Sequence, residues 1–197
     1  MIATPLILVR HGETDWNKEH RWQGHADQPL NDTGRAQARE LAEALAGREI
    51  GAVYASDLVR ARETAELIAA RLGLPVSLDA GLREVDVGDW AGRLLSEIEH
   101  DNPDAFRRWQ DGRQGWRGGE SYEEMGERVV AAVLRIADRH PGETVLVVTH
   151  GGSIRACRAA AAGLTYAESR ATGIVSTANC ELVELQVAAG RLTGPPR

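Results

Sequence analysis

Cysteine is scarce in this sequence, with only Cys157 and Cys180 among its 197 residues. Neither has a partner at the spacing typical of metal ligands, which argues against a zinc framework. Two cysteines are also too few for a disulfide-stapled scaffold. We therefore expect two reduced thiols, and reduced thiols favour a cytoplasmic protein.

Long hydrophobic runs are missing near the start of the chain, where Leu6–Val9 is the main apolar stretch. No basic segment precedes this stretch, and Arg10 ends it. It is too short for a signal peptide or a membrane span. A continuous apolar run of this length is typical of a strand that is covered on both faces. We expect a buried strand here and no association with a membrane.

Basic residues are outnumbered by acidic ones, and the net charge is −6. A nucleic-acid partner is not expected, because phosphate backbones bind to basic faces. A small anionic ligand stays possible, since it needs only a local cluster of cations. The apolar share of 43% and the charged share of 26% are ordinary for a globular protein. At this length we expect one domain, residues 1–197.

Strand and helix patterns alternate along most of the chain. In order, they predict a strand at Leu6–Val9, a helix at Asn31–Ala46, a strand at Ala52–Ala55, and helices at Asp57–Leu72 and from Ser121 to about His140. A strand at Thr144–Thr149, a helix at Ser153–Ala162 and a strand at Cys180–Val187 follow. This order favours an α/β fold with a mostly parallel sheet, in which ligands bind beyond the carboxyl ends of the strands.

Glycines interrupt the segment from about residue 79 to residue 120, which breaks the alternation. We expect at most short helices there, and we interpret the segment as a lid or insertion. Three tryptophans and four arginines fall in or beside it: Trp90, Trp109, Trp116, Arg107, Arg108, Arg113 and Arg117. The tryptophans could stack on a sugar or nucleoside, or they could pack the segment onto the body. The arginines could contact an acidic substrate tail, or pair with nearby carboxylates such as Asp101 and Asp104.

Two histidines share one local pattern, since LILVRHG and VLVVTHG each place an apolar strand before a polar residue, a histidine and a glycine. His11 and His150 are therefore expected at carboxyl ends of strands. A neutral imidazole can attack phosphorus, and a second, cationic imidazole can stabilise phosphoryl oxygens. A glycine after each histidine lets the backbone approach a ligand closely.

Arginines accompany both histidines. Arg10 precedes His11, and Arg60 lies just after the second predicted strand. Guanidinium groups hold phosphate with forked donors, so two of them near His150 would form a pocket for a dianion. Arg60 and Arg62 cannot both face that pocket, because residues two apart lie about 200° around a helix.

At this point the chain resembles the histidine phosphatase superfamily, also called the phosphoglycerate mutase-like superfamily. The resemblance covers nearly the whole chain and is carried by blocks in the right order: Arg10-His11-Gly12-Glu13-Thr14 with Asn17, Gln23-Gly24, Pro29-Leu30 and Thr33-Gly34-Arg35; Ser56-Asp57-Leu58 with Arg60-Ala61 and Thr64-Ala65; Leu82-Arg83-Glu84 with Gly88-Asp89-Trp90; Gly118-Gly119-Glu120-Ser121; and Thr149-His150-Gly151-Gly152. It implies a three-layer α/β/α fold with a small lid.

The resemblance also implies roles for individual residues. His11 would be the nucleophile that forms a phosphohistidine, and Glu84 would protonate the leaving oxygen and then activate water. The remaining implied site residues would bind the phosphoryl oxygens or line their pocket: Arg10, Arg60 and His150 for the oxygens, and Asn17, Gln23, Gly24 and Gly151 for the pocket. No cofactor and no metal are implied.

Three other functions stay open. A metal-dependent phosphohydrolase is disfavoured because no metal-ligand spacing is present and the arginines would repel a cation. A non-catalytic domain that binds phosphorylated ligands would bind phosphate without turnover. A cofactor-dependent phosphoglycerate mutase is the nearest alternative, but members of that branch resemble each other in a longer segment between Glu84 and His150. Mutases also usually have glycine-asparagine where this chain has Gly151-Gly152. We therefore expect a phosphatase acting on a small phosphorylated metabolite.

The last predicted strand alternates apolar and polar side chains, from Glu181 to Leu185. Such alternation is consistent with one solvated face or with an edge strand, and an edge could pair between two subunits. A homodimer is therefore possible.

Overall fold

The structure is a computed structural model that describes residues 2–174 and 177–194. Its central sheet has six strands, namely β1 (Thr4–Arg10), β2 (Ala52–Ala55), β3 (Val76–Leu78), β4 (Val145–Thr149), β5 (Leu182–Ala188) and β6 (Arg191–Thr193). The strand order is β3-β2-β4-β1-β5-β6, with β1 to β4 parallel and the last two antiparallel. The predicted α/β fold with a mostly parallel sheet is confirmed.

The helices cover both faces of this sheet. They are α1 (Asp15–Lys18), α2 (Asp32–Leu45), α3 (Val59–Leu72), α4 (Leu95–Asp101), α5 (Pro103–Gln110), α6 (Tyr122–Ala137), α7 (Gly151–Ala161) and α8 (Tyr166–Ala171). Leu6 and Leu8 of β1 belong to the core on the side of α6 and α7, whereas Ile7 and Val9 belong to the core on the side of α2 and α3. Successive strand residues point to opposite faces, so the run has to be apolar throughout.

Several boundaries differ from the prediction. The second predicted helix was placed from Asp57, but α3 begins at Val59, because Leu58 is extended and the Asp57 carboxylate accepts hydrogen bonds from Arg83 instead. The capping box predicted at Ser121 is present and opens α6, which ends at Ala137 rather than His140. The helix predicted from Ser153 already begins at Gly151.

Four short elements were not predicted from the sequence: α1, β3, α8 and β6. The pairing of β5 is informative, because it lies between β1 and β6 and is not an edge of the sheet. Its alternating side chains reflect partial exposure of its faces. Both sides of β5 are therefore paired within the chain, and β5 cannot pair with a second subunit as the possible homodimer would have required.

The segment 79–120 contains two single 3-10 turns, Ala80–Leu82 and Gly88–Trp90, followed by α4 and α5, so the expectation of only short helices is confirmed. Trp90 and Trp116 are buried in the larger core cluster, with ring centroids 5.5 Å apart, and pack the segment onto the body. Two of the four arginines singled out there pair with nearby carboxylates, Arg107 with Asp104 and Arg113 with Asp111. The single domain and the action of this segment as a lid stay predictions.

None of the helices in the described part of the chain is both long enough and apolar enough to cross a membrane.

Candidate active site

His11 lies immediately after β1, and its side chain is only 3% exposed. Its backbone N–H donates to the Thr149 carbonyl at 3.0 Å, which joins the ends of β1 and β4. Its Nδ1 lies 2.7 Å from the Gly12 carbonyl oxygen. A carbonyl can only accept, so Nδ1 carries the proton and Nε2 of the neutral ring keeps its lone pair. This is the nitrogen that a nucleophilic histidine needs.

The backbone beside His11 is fixed by residues from distant parts of the chain. The Gly12 N–H donates to Thr64 Oγ1 at 3.0 Å, and the Asn179 side-chain amide donates to the His11 carbonyl at 2.9 Å. A Cβ at Gly12 would lie 2.5 Å from the Gly34 carbonyl oxygen, so any larger residue would displace this turn. Thr64 and Asn179 were not predicted as candidate site residues.

His150 follows β4 and is completely buried. Its ring centroid lies 5.2 Å from that of His11, with the planes inclined by 60°. Its Nε2 lies 2.9 Å from Ser56 Oγ. Its Nδ1 is buried and has no hydrogen-bond partner in residues 2–174 and 177–194. Both histidines lie at carboxyl ends of strands, as predicted, and the structure adds that their rings are in contact.

Arg10 and Arg60 supply the positive charge. Arg60 is 1% exposed, and its terminal nitrogens donate to the Ala26 and Gly24 carbonyls at 2.9 and 2.8 Å. Arg10 Nη1 donates to the Thr177 carbonyl at 2.7 Å. The Nε atoms of both arginines are buried without a partner among the described residues. Arg62 is exposed instead, as helical geometry predicted for one of the pair Arg60 and Arg62.

Burial and the two arginines change the titration of these groups. Burial is the main cause that lowers the pKa of His11 well below 6.5, and the charges of Arg60 and Arg10 add to it. Burial and Arg60 likewise hold the pKa of His150 well below its usual value. Burial also lowers the pKa of Arg60 to about 10, which leaves this guanidinium charged near neutrality. His150, expected to be cationic, is therefore neutral in the free protein, and a bound dianion would favour its protonation.

Glu84 approaches this cluster from the segment 79–120. Its carboxylate accepts hydrogen bonds from the Val85 N–H at 2.9 Å and from the Gly152 N–H at 3.0 Å. A Cβ at Gly152 would lie 2.3 Å from Glu84 Oε1. The second glycine after His150 is therefore what allows the carboxylate to reach the N-terminal turn of α7.

These groups surround a cavity of about 610 Å³. Eight of the nine predicted site residues line it: Arg10, His11, Asn17, Gln23, Gly24, Arg60, Glu84 and Gly151. His150 is not among the lining residues, and its ring lies against that of His11. Asn17 Oδ1 accepts from the Thr14 N–H at 3.2 Å, and Gln23 Oε1 is buried with no partner in the described part of the chain.

The outer wall of the cavity is largely aromatic. Trp16, Trp22, Trp109, Tyr122 and Tyr166 line it. Burial raises the pKa of Tyr122 to about 12, so its hydroxyl is neutral. Of the tryptophans singled out in the segment 79–120, Trp109 faces the cavity, whereas Trp90 and Trp116 are buried in the core. The described residues contain no group of three or more histidine, cysteine, aspartate or glutamate side chains arranged to hold a metal ion.

The fold and the site together define an α/β protein in which two histidines and two arginines come together at the carboxyl edge of a sheet. The chain belongs to the histidine phosphatase superfamily (branch 1), whose family model matches residues 6–193. It is 46% identical over 155 residues to phosphoglycerate mutase-like protein 4 of Arabidopsis thaliana, covering 76% of this chain and 67% of the relative.

The chain is also similar to a phosphatase and to a solved structure. The metal-independent phosphoserine phosphatase of Arabidopsis thaliana is 40% identical over 159 residues, which cover 78% of this chain and 67% of the relative. The solved structure of Bacillus stearothermophilus YhfR superposes with a TM-score of 0.88 at 35% identity, over 97% of this chain and 95% of that chain. These matches agree with the three-layer fold that the sequence resemblance implied.

Proposed function

We propose that this protein is a metal-independent phosphomonoester hydrolase that transfers the phosphoryl group of a small phosphorylated metabolite first to His11 and then to water. The observation that carries the proposal is the convergence on one cavity of a buried histidine, whose Nε2 keeps its lone pair, with the buried Arg60, the half-buried Arg10 and the carboxyl group of Glu84. Relatives with phosphatase names, including a metal-independent phosphoserine phosphatase, support it.

In the first step, His11 Nε2 forms a bond to phosphorus while the bond from phosphorus to the ester oxygen breaks. Glu84 gives its proton to that oxygen, because an alkoxide is a poor leaving group unless it is protonated. Arg10 and Arg60 hold the phosphoryl oxygens, and their charge stabilises the transition state. The burial that keeps His11 neutral makes the lone pair available at mildly acidic pH.

In the second step, water attacks phosphorus and the bond from phosphorus to His11 breaks. The Glu84 carboxylate, which lost its proton in the first step, takes one from the water. Inorganic phosphate then leaves, and the protein returns to its starting state. His150 lies against His11 and donates to the phosphoryl oxygens once it is protonated.

The finer features of the proposal follow from the same residues. Asn17, Gln23, Gly24 and Gly151 would line the phosphoryl pocket, and Gln23 Oε1, which lacks a partner among the described residues, would meet a donor on the substrate or a water. The two free thiols support the cytoplasm as the compartment.

Phosphate release, measured beside isomer exchange, separates hydrolysis from mutase activity. With 3-phosphoglycerate as substrate, we expect inorganic phosphate to accumulate without interconversion of the 2- and 3-isomers. Exchange between the isomers faster than phosphate release would contradict the proposal. A panel of sugar phosphates, phosphoglycerates and nucleotides, compared by kcat/KM, would then identify the leaving group.

A further inference from the structure

Arg128 lies near the middle of α6 and faces the segment that carries Glu84. It does not line the cavity, and the proposed reaction does not use it. Its Nη1 donates to the Gly81 carbonyl at 3.0 Å and to the Arg83 carbonyl at 3.1 Å, and its Nη2 donates to the Glu84 carbonyl at 3.2 Å. One guanidinium therefore binds the backbone immediately before Glu84 and that of Glu84 itself.

A carboxylate completes this arrangement. Arg128 Nε donates to Glu120 Oε2 at 3.2 Å, and its Nη2 donates to Glu120 Oε1. The same Oε1 accepts from the Asp86 N–H at 3.1 Å. Arg128 and Glu120 thus hold the chain on both sides of Glu84. His25, in the loop between α1 and α2, adds a contact of its own, since its Nε2 lies 2.8 Å from the Glu84 carbonyl oxygen.

The chemistry of these groups explains why an arginine suits this position. The single 3-10 turn Ala80–Leu82 ends here, and carbonyls at the end of a helical turn lack partners within it. A guanidinium carries five N–H donors in a rigid plane, so one side chain can satisfy several carbonyls and a carboxylate together. A lysine has the charge but not the planar fork.

We propose that Arg128, paired with Glu120, is a positioning residue that fixes the backbone from which Glu84 reaches the leaving oxygen. This inference depends on the proposed function, because it assumes that Glu84 is the proton donor. Proton transfer depends steeply on geometry, and a misplacement of about 1 Å can cost about 100-fold in rate. The loss should appear only where the leaving group needs a proton.

The test is Arg128→Met, assayed on an alkyl phosphate and on 4-nitrophenyl phosphate. We expect kcat/KM for the alkyl substrate to fall by about 100-fold, and that for nitrophenyl phosphate to fall by no more than about 3-fold, because nitrophenolate leaves without protonation. Across a series of aryl phosphates, the dependence of log kcat/KM on leaving-group pKa should become steeper. Arg128→Lys should restore part of the alkyl activity.

The matched control is Arg135→Met. Arg135 lies two turns further along α6, and it donates to Asp79 Oδ2 at 3.3 Å, just before the same segment. This substitution removes an arginine of the same helix whose hydrogen bond goes to the Asp79 carboxylate rather than to the carbonyls that Arg128 binds. We expect both substrates to keep their wild-type kcat/KM with this variant.

Equal losses on both substrates with folded Arg128→Met, or an equal loss with Arg135→Met, would overturn the inference. Thermal melts of each variant show whether it folds. If Arg128→Met does not fold, kcat/KM of Arg128→Lys on the alkyl phosphate and on 4-nitrophenyl phosphate tests the inference in its place. Failure of the proposed function is distinguishable, since the wild type would then form no phosphohistidine at His11. A wild type that does form it, beside a fully active Arg128→Met, would overturn this inference alone.

Discussion

The imidazole rings of His11 and His150 meet at the carboxyl ends of two neighbouring parallel strands, with centroids 5.2 Å apart. The two residues are far apart in the sequence, and the register of β1 on β4 pairs Arg10 with Thr149, one residue before each histidine. Two adjacent buried imidazoles near the charges of Arg60 and Arg10 cannot both be charged at low cost. This contact is the basis of the pH dependence of stability that we predict.

The free energy of unfolding should fall as the pH decreases from about 7.5 to about 5.5. The unfolded chain protonates both histidines below their ordinary pKa of 6.5, whereas the native protein holds the pKa values of His11 and His150 well below it. The unfolded state therefore binds more protons in this window, and each histidine should cost about 1 kcal/mol. Urea denaturation at both pH values measures the difference.

His150→Gln should lose part of that pH dependence, whatever its absolute stability. His100→Gln, which changes an exposed histidine of α4, serves as the control and should keep all of it. A pH dependence that is the same in His150→Gln and in the wild type would contradict the electrostatic account of the pair.

Glu84→Gln should slow the hydrolysis of alkyl phosphates far more than that of 4-nitrophenyl phosphate. Its carboxyl group lies on the cavity wall and, in the protonated form, is the proposed proton donor; general acid catalysis contributes about 100-fold or more to such steps. The comparison of kcat/KM on the two substrates checks it. Equal losses on both would remove Glu84 from the acid role while leaving His11 as the nucleophile.

Phosphatase activity should persist in excess chelator. The positive charge needed by the phosphoryl group comes from Arg10 and Arg60, so no divalent ion is required for this task. Initial rates with and without a strong chelator measure the effect. Activity that is lost with chelator and returns with a divalent metal would support the metal-dependent alternative instead.

Trp109→Ala should lower kcat/KM only for substrates with large leaving groups. Trp109 lies on the outer wall of the cavity, and the loss of one aromatic contact corresponds to about 5- to 10-fold in kcat/KM. A bulky aryl phosphate and a small alkyl phosphate provide the comparison. Trp116→Phe is the control, because Trp116 belongs to the buried core behind the wall. An equal loss on both substrates would assign Trp109 a structural role only.

Much of the fold could be predicted from the sequence, because the signals were local. The apolar run Leu6–Val9 is continuous since both faces of β1 are covered, and the Ser121 capping box marks the start of α6. Helical geometry also predicted that only one of Arg60 and Arg62 faces the site, and the family resemblance indicated Arg60. Of the two alternatives left open for the last predicted strand, a solvated face or an edge, the edge is excluded, because β6 returns to pair with β5 and alternation alone does not reveal that pairing.

The rest of the site could not be predicted, because it depends on contacts between distant segments. Asn179 holds the His11 carbonyl across 168 residues, and Thr64 holds the Gly12 N–H across 52. In the sequence, Arg128 is one polar residue among others on an amphipathic helix. Its role depends on carbonyls of residues 81–84, which only the fold brings next to it. No periodicity marks such residues in a single sequence.

The most direct test of the account is to trap the phosphorylated enzyme. Wild-type protein mixed with radiolabelled substrate and quenched rapidly in alkali should carry one acid-labile phosphoryl group, which peptide mapping places on His11. His11→Ala should carry none and should show no turnover, while keeping the fold of the wild type. Turnover by the wild type without this label, or a label on another residue, would contradict the central claim.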